Sequence, residues 1–346
     1  MKIRSTAAKA LAALAVSTLA LTGCGDDSSA ETVSGGQAAE LRLGYFANVT
    51  HATALYGIAT GGFQQALGET KLATTSFNAG PAAIEALRSG GLDASFIGPN
   101  PAINGFAQTD GKLLRIVAGT TSGGAALVVK PEITSVEQLA GKKIATPQLG
   151  NTQDVAAKAF FKEKGLDVTI INQENAQTLE LLKSGAIDGG WVPEPWASRL
   201  VLDGGGKVLV DEATLWPQGQ FVTTHLVVRT EFLEEHPETV DALLKGLIAA
   251  NDVVATKSPD VQAKVNAQIK ADTGKELKPE ILTASFAKLT PTLDPIASSL
   301  AESAKDAQAI GVLKPVELKG IYDLSRLNAL LTAAGTPAVT DAGLGT

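Results

Sequence analysis

From Leu41 onward, the chain alternates short apolar runs with segments whose apolar residues recur every three or four positions. The short runs are rich in β-branched residues and predict strands, whereas the recurring pattern predicts amphipathic helices. Strands that alternate with helices form βαβ units around a parallel sheet. The first series predicts strands over residues 41–46, 72–77, 94–97 and 114–119, with helices over 55–67, 82–88 and 102–108.

A second series of the same kind follows and predicts a second α/β lobe. Its strands are expected over residues 143–146, 168–172, 189–192 and 207–210, and its helices over 153–164, 178–184 and 196–202.

Two extended apolar runs, residues 125–130 and 221–229, lie on either side of the second series and are interpreted as crossovers between the lobes. Beyond Thr230 the pattern is nearly all helical, with prolines at positions typical of helix starts. We therefore predict an α/β fold of two lobes joined by two crossovers. Lobe 1 is expected to comprise residues 41–127 and 225–340, and lobe 2 residues 128–224.

The two series also share a short local sequence. Residues 87–98, LRSGGLDASFIG, are echoed by residues 182–192, LKSGAIDGGWV. Each segment reads as a helix end, a glycine that terminates the helix, and a strand.

The first residues have the pattern of an export signal. Basic residues precede an apolar run from Ala10 to Leu21, followed by small residues suited to cleavage. As a helix this run would be about 18 Å long, short of the roughly 30 Å hydrocarbon core, so a cleaved signal is favoured over a membrane span. Residues 21–24, LTGC, resemble the bacterial lipobox, which implies that residues 1–23 are a lipoprotein signal peptide and that Cys24 carries a lipid anchor.

Residues 24–40 are small and polar, which predicts a flexible tether between the anchor and the first strand. Such an arrangement would hold the folded part close to a membrane face.

Composition excludes several classes of function. The net charge of −7 argues against nucleic acid as a partner, because nucleic-acid binding needs clustered positive charge. Cys24 is the only cysteine, so an intramolecular disulfide and a cysteine-based metal site are excluded. The three histidines are widely spaced, and we predict no metal and no cofactor.

The loops after the predicted strands carry the candidate chemistry, because ligands of such sheets bind beyond the carboxyl ends of the strands. Five of the six loops lack Lys, Arg, Asp and Glu and are rich in small and hydrogen-bonding residues. Each is expected to lead into a helix, and free N–H groups at helix starts hold an oxyanion without a formal positive charge. The loops are residues 47–51, 78–81, 98–101, 120–124, 147–152 and 193–196.

Several of these segments carry a family resemblance. Residues 185–196, GAIDGGWVPEPW, together with SGGLD at 89–93, GNT at 150–152 and the lipobox, resemble the solute-binding lipoproteins of ABC importers. The branch is the one that serves aliphatic sulfonates, taurine and nitrate, and the resemblance covers nearly all of residues 41–335.

This resemblance implies a type II periplasmic-binding-protein fold whose lobes close on the ligand. It also implies an ABC permease and, through it, an ATPase as partners, no catalysis, and a lipid-anchored monomer at the extracytoplasmic face of the membrane. The predicted function is capture of a small anionic solute such as an aliphatic sulfonate or a taurine-like molecule. Two alternatives stay open: a neutral or aromatic solute such as a pyrimidine vitamin precursor, favoured by the missing Arg clamp and the tryptophans, and an enzyme on the same fold.

Asn151 and Thr152 correspond to the place where the family holds the oxyanion of its ligand. Alternatively, Asn151 only caps the helix, with Asp154 at the third helical position. Asp154 would repel a dianion unless its carboxylate points away.

Trp191 and Trp196 flank a loop that the family keeps against the ligand. We expect one of them at the cleft and the other in the core, with the order open. Glu194 is the sole carboxylate in the six loops. It would either bind a cationic head group or join the lobes by accepting N–H bonds from the opposite rim, and we favour the structural role.

His51 is a candidate to hydrogen-bond the ligand, and His225 a candidate for a hinge or cleft role. No GxSxG motif accompanies them, so a catalytic pair is disfavoured. The other candidates form a rim of one aromatic ring with amide, hydroxyl and glycine positions that turn chemistry would equally explain. They are Phe46, Asn48, Asn78, Gly98, Asn100, Thr121 and Ser122.

Overall fold

A computed structural model describes residues 36–346 of the chain. The predicted signal peptide, Cys24 and most of the predicted tether lie outside the described residues. The strands, in chain order, are β1 (Glu40–Phe46), β2 (Lys71–Phe77), β3 (Ala94–Ile97), β4 (Leu114–Gly123), β5 (Ala125–Val129), β6 (Lys143–Thr146), β7 (Thr169–Asn172), β8 (Gly189–Pro193), β9 (Lys207–Asp211), β10 (Val222–Arg229) and β11 (Leu289–Pro291).

The α-helices are α1 (Ala52–Ala59), α2 (Gly62–Leu67), α3 (Gly80–Arg88), α4 (Pro99–Ala107), α5 (Thr152–Glu163), α6 (Asn175–Lys183), α7 (Trp196–Leu202), α8 (Thr230–Glu235), α9 (Pro237–Ala255), α10 (Pro259–Thr273), α11 (Pro279–Ala287), α12 (Ala297–Ala309) and α13 (Ser325–Ala333). Short 3-10 helices occupy Val49–His51, Val136–Leu139, Glu212–Leu215 and Pro217–Gly219. Among the described residues, the structure contains no helix with the length and apolar character needed to cross a bilayer.

Two sheets organise the chain into two lobes, as predicted. The sheet of lobe 1 has the order β11-β4-β10-β3-β1-β2, and the sheet of lobe 2 has the order β7-β6-β8-β5-β9. In lobe 1, β1 is parallel to β2 and β3, while β10 is antiparallel to β3 and β4. Lobe 2 repeats this scheme, with β6 parallel to β7 and β8 and with β5 antiparallel to β8 and β9. The sheets are therefore mixed, whereas the strand–helix alternation alone predicted parallel ones.

The segments interpreted as crossovers turn out to be inner strands. Both β5 and β10 are buried along nearly their whole length, which suits strands covered on both faces. The predicted lobe boundaries at residues 127 and 224 fall inside these two strands. Ala125 already pairs with Pro193 in lobe 2, and Val222 pairs with Ser122 in lobe 1, so the chain changes lobes at Gly123–Gly124 and again over residues 212–221.

Each sheet is covered by apolar side chains on both faces. In β3, Phe96 faces a core that includes Phe63 and Leu247, and the next residue, Ile97, faces a second core with Leu300. Alternation along a strand places successive side chains on opposite faces. Each large side chain buried in this way contributes about 1.5–3 kcal/mol.

The end of the predicted tether is already packed against lobe 1. Ala38 is buried, and its N–H donates to Thr239 Oγ1 at 2.8 Å. Gln37 Nε2 donates to the carbonyl of Leu67 at 3.1 Å. Residues 37–40 are thus part of the fold rather than the flexible linker predicted over 24–40.

Candidate ligand-binding cleft

A cleft lies between the two lobes at the carboxyl ends of their parallel strands. The space between its walls is about 340 Å³ when the part open to solvent is counted, but only about 20 Å³ is roomy enough for the centre of a water molecule. That is room for about one water, so the lobes are closed in this structure. The lining residues are Phe46, Asn48, Thr50, His51, Asn78, Gly98 and Thr223 from lobe 1 and Asn151, Thr152, Gln153, Asn175 and Pro193 from lobe 2.

Seven of the residues proposed from the sequence meet in this cleft, and they come from four different strand-end loops. They are Phe46, Asn48, His51, Asn78, Gly98, Asn151 and Thr152.

His51 is presented to the cleft as a neutral ring. Burial lowers its pKa to about 3, so the imidazole is uncharged at physiological pH. The N–H of Phe46 donates to His51 Nδ1 at 3.3 Å, and the two rings lie 4.4 Å apart. Because Nδ1 accepts this bond, the proton resides on Nε2, which can act as a hydrogen-bond donor.

The side chain of Asn151 bonds across the cleft instead of capping α5. It occupies the N-cap position but makes no side-chain cap bond, and its Oδ1 instead accepts from the N–H of Gly80 in lobe 1 at 3.3 Å. The cap-only alternative is therefore wrong. Asn151 joins the start of α5 to the start of α3 across the cleft.

Asp154 points away from the cleft into lobe 2. Its carboxylate accepts from Thr146 Oγ1 and Asn172 Nδ2 and pairs with Lys158 Nζ at 2.8 Å. The negative charge that argued against an anion at this helix start is thus neutralised inside the lobe.

Gly98 of lobe 1 lies directly against Thr152 of lobe 2. A Cβ atom on Gly98 would lie 2.4 Å from Thr152 Oγ1, well inside contact distance. Within the described residues Thr152 Oγ1 has no hydrogen-bond partner although it is buried. A buried hydroxyl without a partner costs about 1–3 kcal/mol, which a ligand oxygen at this position would offset.

Asn175 was missed by the sequence analysis and offers a buried acceptor, which a ligand donor would satisfy. It is buried, lines the cleft at the start of α6, and its Oδ1 lacks a partner among the described residues. Asn175 could have been predicted, because it lies in the loop after strand β7 and ligands bind beyond the carboxyl ends of such strands. Thr50, Gln153 and Thr223 also line the cleft and were not among the proposed residues.

Two hydrogen bonds join the lobes at the rim of the cleft. Trp196 Nε1 donates to Asn48 Oδ1 at 3.0 Å, and Asn78 Nδ2 donates to Glu174 at 3.1 Å. Trp196 is half-buried, with the guanidinium of Arg199 stacked 4.4 Å from its ring. It holds a cleft residue in place but is not itself among the residues that line the cleft.

Trp191 lies in the core of lobe 2, which corrects its place among the ligand-binding candidates. It is 0% exposed and packs against Phe160 and Phe161. Its Nε1 donates to Glu212 at 2.7 Å, and burial raises the pKa of Glu212 to about 7. The expectation of one tryptophan in the core is met by Trp191.

Four further candidates are buried in lobe 1 away from the cleft lining. Asn100 Nδ2 donates to the carbonyl of Ser303, and Ser122 Oγ accepts from the N–H of Phe221. Thr121 and Ser122 belong to β4, because residues 120–124 continue a strand into β5 instead of opening a helix. His225 pairs with Gly119 within the sheet, and its Nε2 lies 3.1 Å from the carbonyl of Pro295.

Glu194 joins the lobes from behind the cleft. Its carboxylate accepts from the N–H and Oγ of Ser198 in its own lobe and from Ser285 Oγ of lobe 1 at 2.9 Å. Burial raises its pKa, and these hydrogen bonds oppose the rise. The bonding agrees with the favoured structural role, with an O–H of the opposite lobe as donor rather than an N–H.

Helices of both lobes begin around the cleft, and the side-chain donors there are uncharged. Helices α1, α4, α5 and α6 begin at or next to lining residues, and α3 begins two residues after Asn78, with its first N–H donated to Asn151. The free N–H groups of helix starts carry partial positive charge, so their convergence favours a negative ligand.

Comparison with known proteins places the chain in a family. Residues 34–270 match the profile of the NMT1-like family. The chain belongs to the NMT1-like family. This NMT1-like protein is similar to the taurine-binding periplasmic protein of Escherichia coli strain K12, at 32% identity over 190 residues. The match covers 54% of this chain and 58% of that relative's own length, so it spans little more than half of the relative.

Solved structures share the fold of this NMT1-like chain. The alkanesulfonate-binding protein SsuA of Xanthomonas axonopodis pv. citri, bound to MOPS, superposes with a TM-score of 0.68 at 21% identity, covering 81% of this chain and 96% of SsuA. The periplasmic nitrate-binding protein NrtA of Synechocystis PCC 6803 has a TM-score of 0.68 at 17% identity and covers 80% and 83%. These likenesses confirm the two-lobed periplasmic-binding-protein fold predicted from the sequence.

Proposed function

We propose that the chain is the extracytoplasmic solute-binding component of an ABC importer, which captures a small anionic solute, an aliphatic sulfonate or a taurine-like molecule, by lobe closure. The proposal rests on the convergence of five helix starts at one interlobe cleft with the Thr152 hydroxyl and the Asn175 amide oxygen, neither of which has a partner in the part of the chain that the structure describes. An oxyanion accepts hydrogen bonds from the helix-start N–H groups and from the Thr152 hydroxyl. The Asn175 oxygen is an acceptor, which the ammonium group of a taurine-like ligand satisfies by donating to it.

The neutrality of the donors fits a ligand that must also be released. His51 stays uncharged, and the carboxylate of Asp154 is paired inside lobe 2. A closed cleft with room for about one water also requires the lobes to open before a solute enters. Hinge closure around a ligand is the established behaviour of periplasmic binding proteins.

The relatives support the choice of ligand class. The names of the similar proteins mention taurine, alkanesulfonate and nitrate, each of which carries an anionic oxygen group. A permease, and through it an ATPase, would receive the solute from the closed, monomeric protein.

The neutral or aromatic solute is the weaker alternative, because the tryptophans that favoured it do not line the cleft. Trp191 lies in the core and Trp196 bonds to Asn48 from outside the lining. Phe46 and His51 are the rings that remain there among the described residues.

Calorimetric titration tests the proposal with a charged and an uncharged form of one shape. We expect methanesulfonate, taurine or nitrate to bind, and methanesulfonamide, which lacks the charge, to bind at least tenfold more weakly. Thr152→Val removes one donor while keeping the shape and should weaken anion binding by about 1–3 kcal/mol. Thr169→Val, an exposed position on β7 of the same lobe, is the matched control.

The salt dependence of solute affinity is a second test of the proposed function. Bonds from N–H groups inside a closed cleft are poorly screened, so affinity should change little between about 0.05 and 0.5 M salt. Failure of every anion to bind, or a hundredfold loss over this salt range, would overturn the proposal.

The lipid anchor is a separate part of the proposal and has its own test. Acylation of Cys24 would tether the folded residues to the extracytoplasmic face of the membrane. Cys24→Ala should therefore leave the protein soluble or unprocessed in cell fractionation. Recovery of a cleaved variant in salt-washed membranes would contradict the anchor.

A further inference from the structure

A second cavity lies between the lobes next to the cleft. Pro193 lines the cleft, and the adjacent residue, Glu194, lines this second space. Its walls come from α7, β5 and β9 of lobe 2 and from the end of α11 in lobe 1, and its volume is about 190 Å³. We refer to it as the α7–α11 cavity.

The walls of the α7–α11 cavity are mainly apolar. Alanines line it from three elements, Ala126 of β5, Ala197 of α7 and Ala284 of α11, together with Val201 and Val208. Val208 is 44% exposed and Leu202 is 50% exposed, so two large apolar side chains at the same cavity present surface that an apolar occupant would cover.

The polar groups of the cavity are already bonded to one another. The Glu194 carboxylate accepts three hydrogen bonds from Ser198 and Ser285. Asp211 pairs with Lys288 at 2.9 Å across the lobes and also accepts from the N–H of Ala213. A charged or strongly polar occupant would have to displace these bonds, whereas an uncharged apolar one would leave them intact.

The volume sets the size of the occupant. An apolar cavity of about 150 Å³ engineered in another protein stays dry and binds benzene. The α7–α11 cavity, at about 190 Å³, is slightly larger and accommodates a single ring with a small substituent.

We propose that the α7–α11 cavity is a second binding site, which takes a small uncharged hydrocarbon-like molecule of about the size of toluene and thereby stabilises the closed arrangement of the lobes. Closure is required because Ala284 and Lys288 belong to lobe 1 and the other walls to lobe 2. Opening the lobes would remove one wall and return the apolar surface to water. The occupant therefore binds the closed form more tightly than the open one, which is the condition for shifting the equilibrium.

The first experiment uses toluene as the probe and needs no solute. Saturation-transfer NMR should detect bound toluene, and millimolar toluene should raise the Tm of the protein by about 2–4 °C. Ala284→Leu fills the cavity from lobe 1 and should abolish both effects. Ala287→Leu, an exposed position on the same helix that does not line the cavity, is the matched control and should respond like the parent.

Val201→Phe fills the same space from lobe 2 and decides the question if Ala284→Leu does not fold. Equal toluene responses in the parent and in the folded filled variant would overturn the proposal, and so would no response in the parent.

The effect on the main cleft rests on the proposed function and is measured separately. Toluene should raise the affinity for the anionic solute severalfold, and by linkage the solute should raise the affinity for toluene by the same factor. If no anion binds, the proposed function fails while toluene binding still stands. If anions bind and toluene does not, the second site alone is wrong.

Discussion

Residues 87–98 of lobe 1 and residues 182–193 of lobe 2 have nearly the same sequence pattern and local structure. They end at the cleft with different contacts between the lobes. In each, a helix ends, a glycine with positive φ follows, an aspartate precedes the strand, and the strand points at the cleft. Lobe 1 delivers Gly98, whose missing side chain leaves room for Thr152 of the other lobe. Lobe 2 delivers Pro193 and then Glu194, which accepts a bond from Ser285 of the other lobe.

One strand end thus allows the lobes to approach, and the other holds them together. The residues that differ are at the last positions of the pattern, after the shared backbone has been set. The last residue of this helix–strand unit can therefore set the contact between the lobes, while the helix and the strand stay the same.

The aspartates that precede the two strands should differ most in their effect on stability. Asp93 is 1% exposed and binds Arg42 and Arg229, whereas Asp188 is partly exposed and pairs with Lys130 at 3.0 Å. Asp93→Ala should cost about 3 kcal/mol in the free energy of urea unfolding, because the Arg42 guanidinium and backbone N–H lose their acceptor and Arg229 is left with Glu231. Asp188→Ala should cost about 1 kcal/mol. Equal costs would mean that the two positions are not used differently.

The aromatic residue at the centre of each strand gives a pH-dependent contrast. Phe96 needs no polar partner, but Trp191 donates to Glu212, whose pKa burial raises to about 7. Between pH 4.5 and 7 the folded protein then binds more protons than the unfolded chain, so this group's contribution to stability is lost as the pH rises through that window.

Glu212→Gln keeps an acceptor for Trp191 and removes the titration. Its stability relative to the parent should therefore increase from pH 5 to pH 8, on the order of 2–3 kcal/mol, in urea unfolding at each pH. Glu180→Gln, an exposed position in the same lobe, is the control. A constant difference between Glu212→Gln and the parent would refute the assignment.

Gly98→Ala tests whether the missing side chain of Gly98 allows the lobes to approach each other. Its φ of −75° suits alanine, so the added Cβ acts through the 2.4 Å contact with Thr152 Oγ1 rather than through backbone strain. We expect a loss of solute affinity of about tenfold to a hundredfold, equivalent to about 1.4–2.7 kcal/mol, and a larger solute-bound radius of gyration in X-ray scattering.

Thr152→Ala in the Gly98→Ala background removes the clash and should restore the compact form, although it removes a proposed ligand contact. Compaction that is unaffected by Gly98→Ala would show that the contact does not limit closure. Gly62→Ala, where the nearest atom would be 3.4 Å away, is the control.

Two serines donate to Glu194, and replacing each in turn distinguishes a bond between the lobes from a bond within lobe 2. Ser285→Ala removes the bond between lobes and should lower solute affinity about fivefold, corresponding to about 1 kcal/mol. Ser198→Ala removes a bond within lobe 2 and should lower stability by about the same amount. The role assigned to Glu194 fails if calorimetry and urea unfolding show the same profile for both variants.

Much of the fold was readable because local periodicity reports local structure. The predicted strand over residues 94–97 coincides with β3, and that over 143–146 coincides with β6. Which strand pairs with which depends on contacts far apart in sequence, so the positions of β5 and β10 between other strands were not predicted. The three-residue strand β11 was also missed, because it is too short to show a period.

The candidate site was predictable at the level of loops and less so at the level of side chains. The strand-end rule found the loops of Asn48, Gly98 and Thr152, but a residue at a strand end can face the cleft or its own lobe. The similarity between the two segments could have predicted the burial of Trp191, because Trp191 occupies the position of Phe96 and both side chains are buried.

The central position of β10 in the sheet of lobe 1 determines the order in which the lobes can be completed. β10 forms hydrogen bonds with both β3 and β4, yet the whole of lobe 2 separates it from β4 in the chain. A chain growing from its N-terminus can therefore finish the sheet of lobe 2 at Asp211, while β3 and β4 still lack the strand that joins them. Until Arg229 has been added, the edges of β3 and β4 that β10 joins stay unpaired, and unpaired strand edges are the surfaces that favour aggregation with other chains.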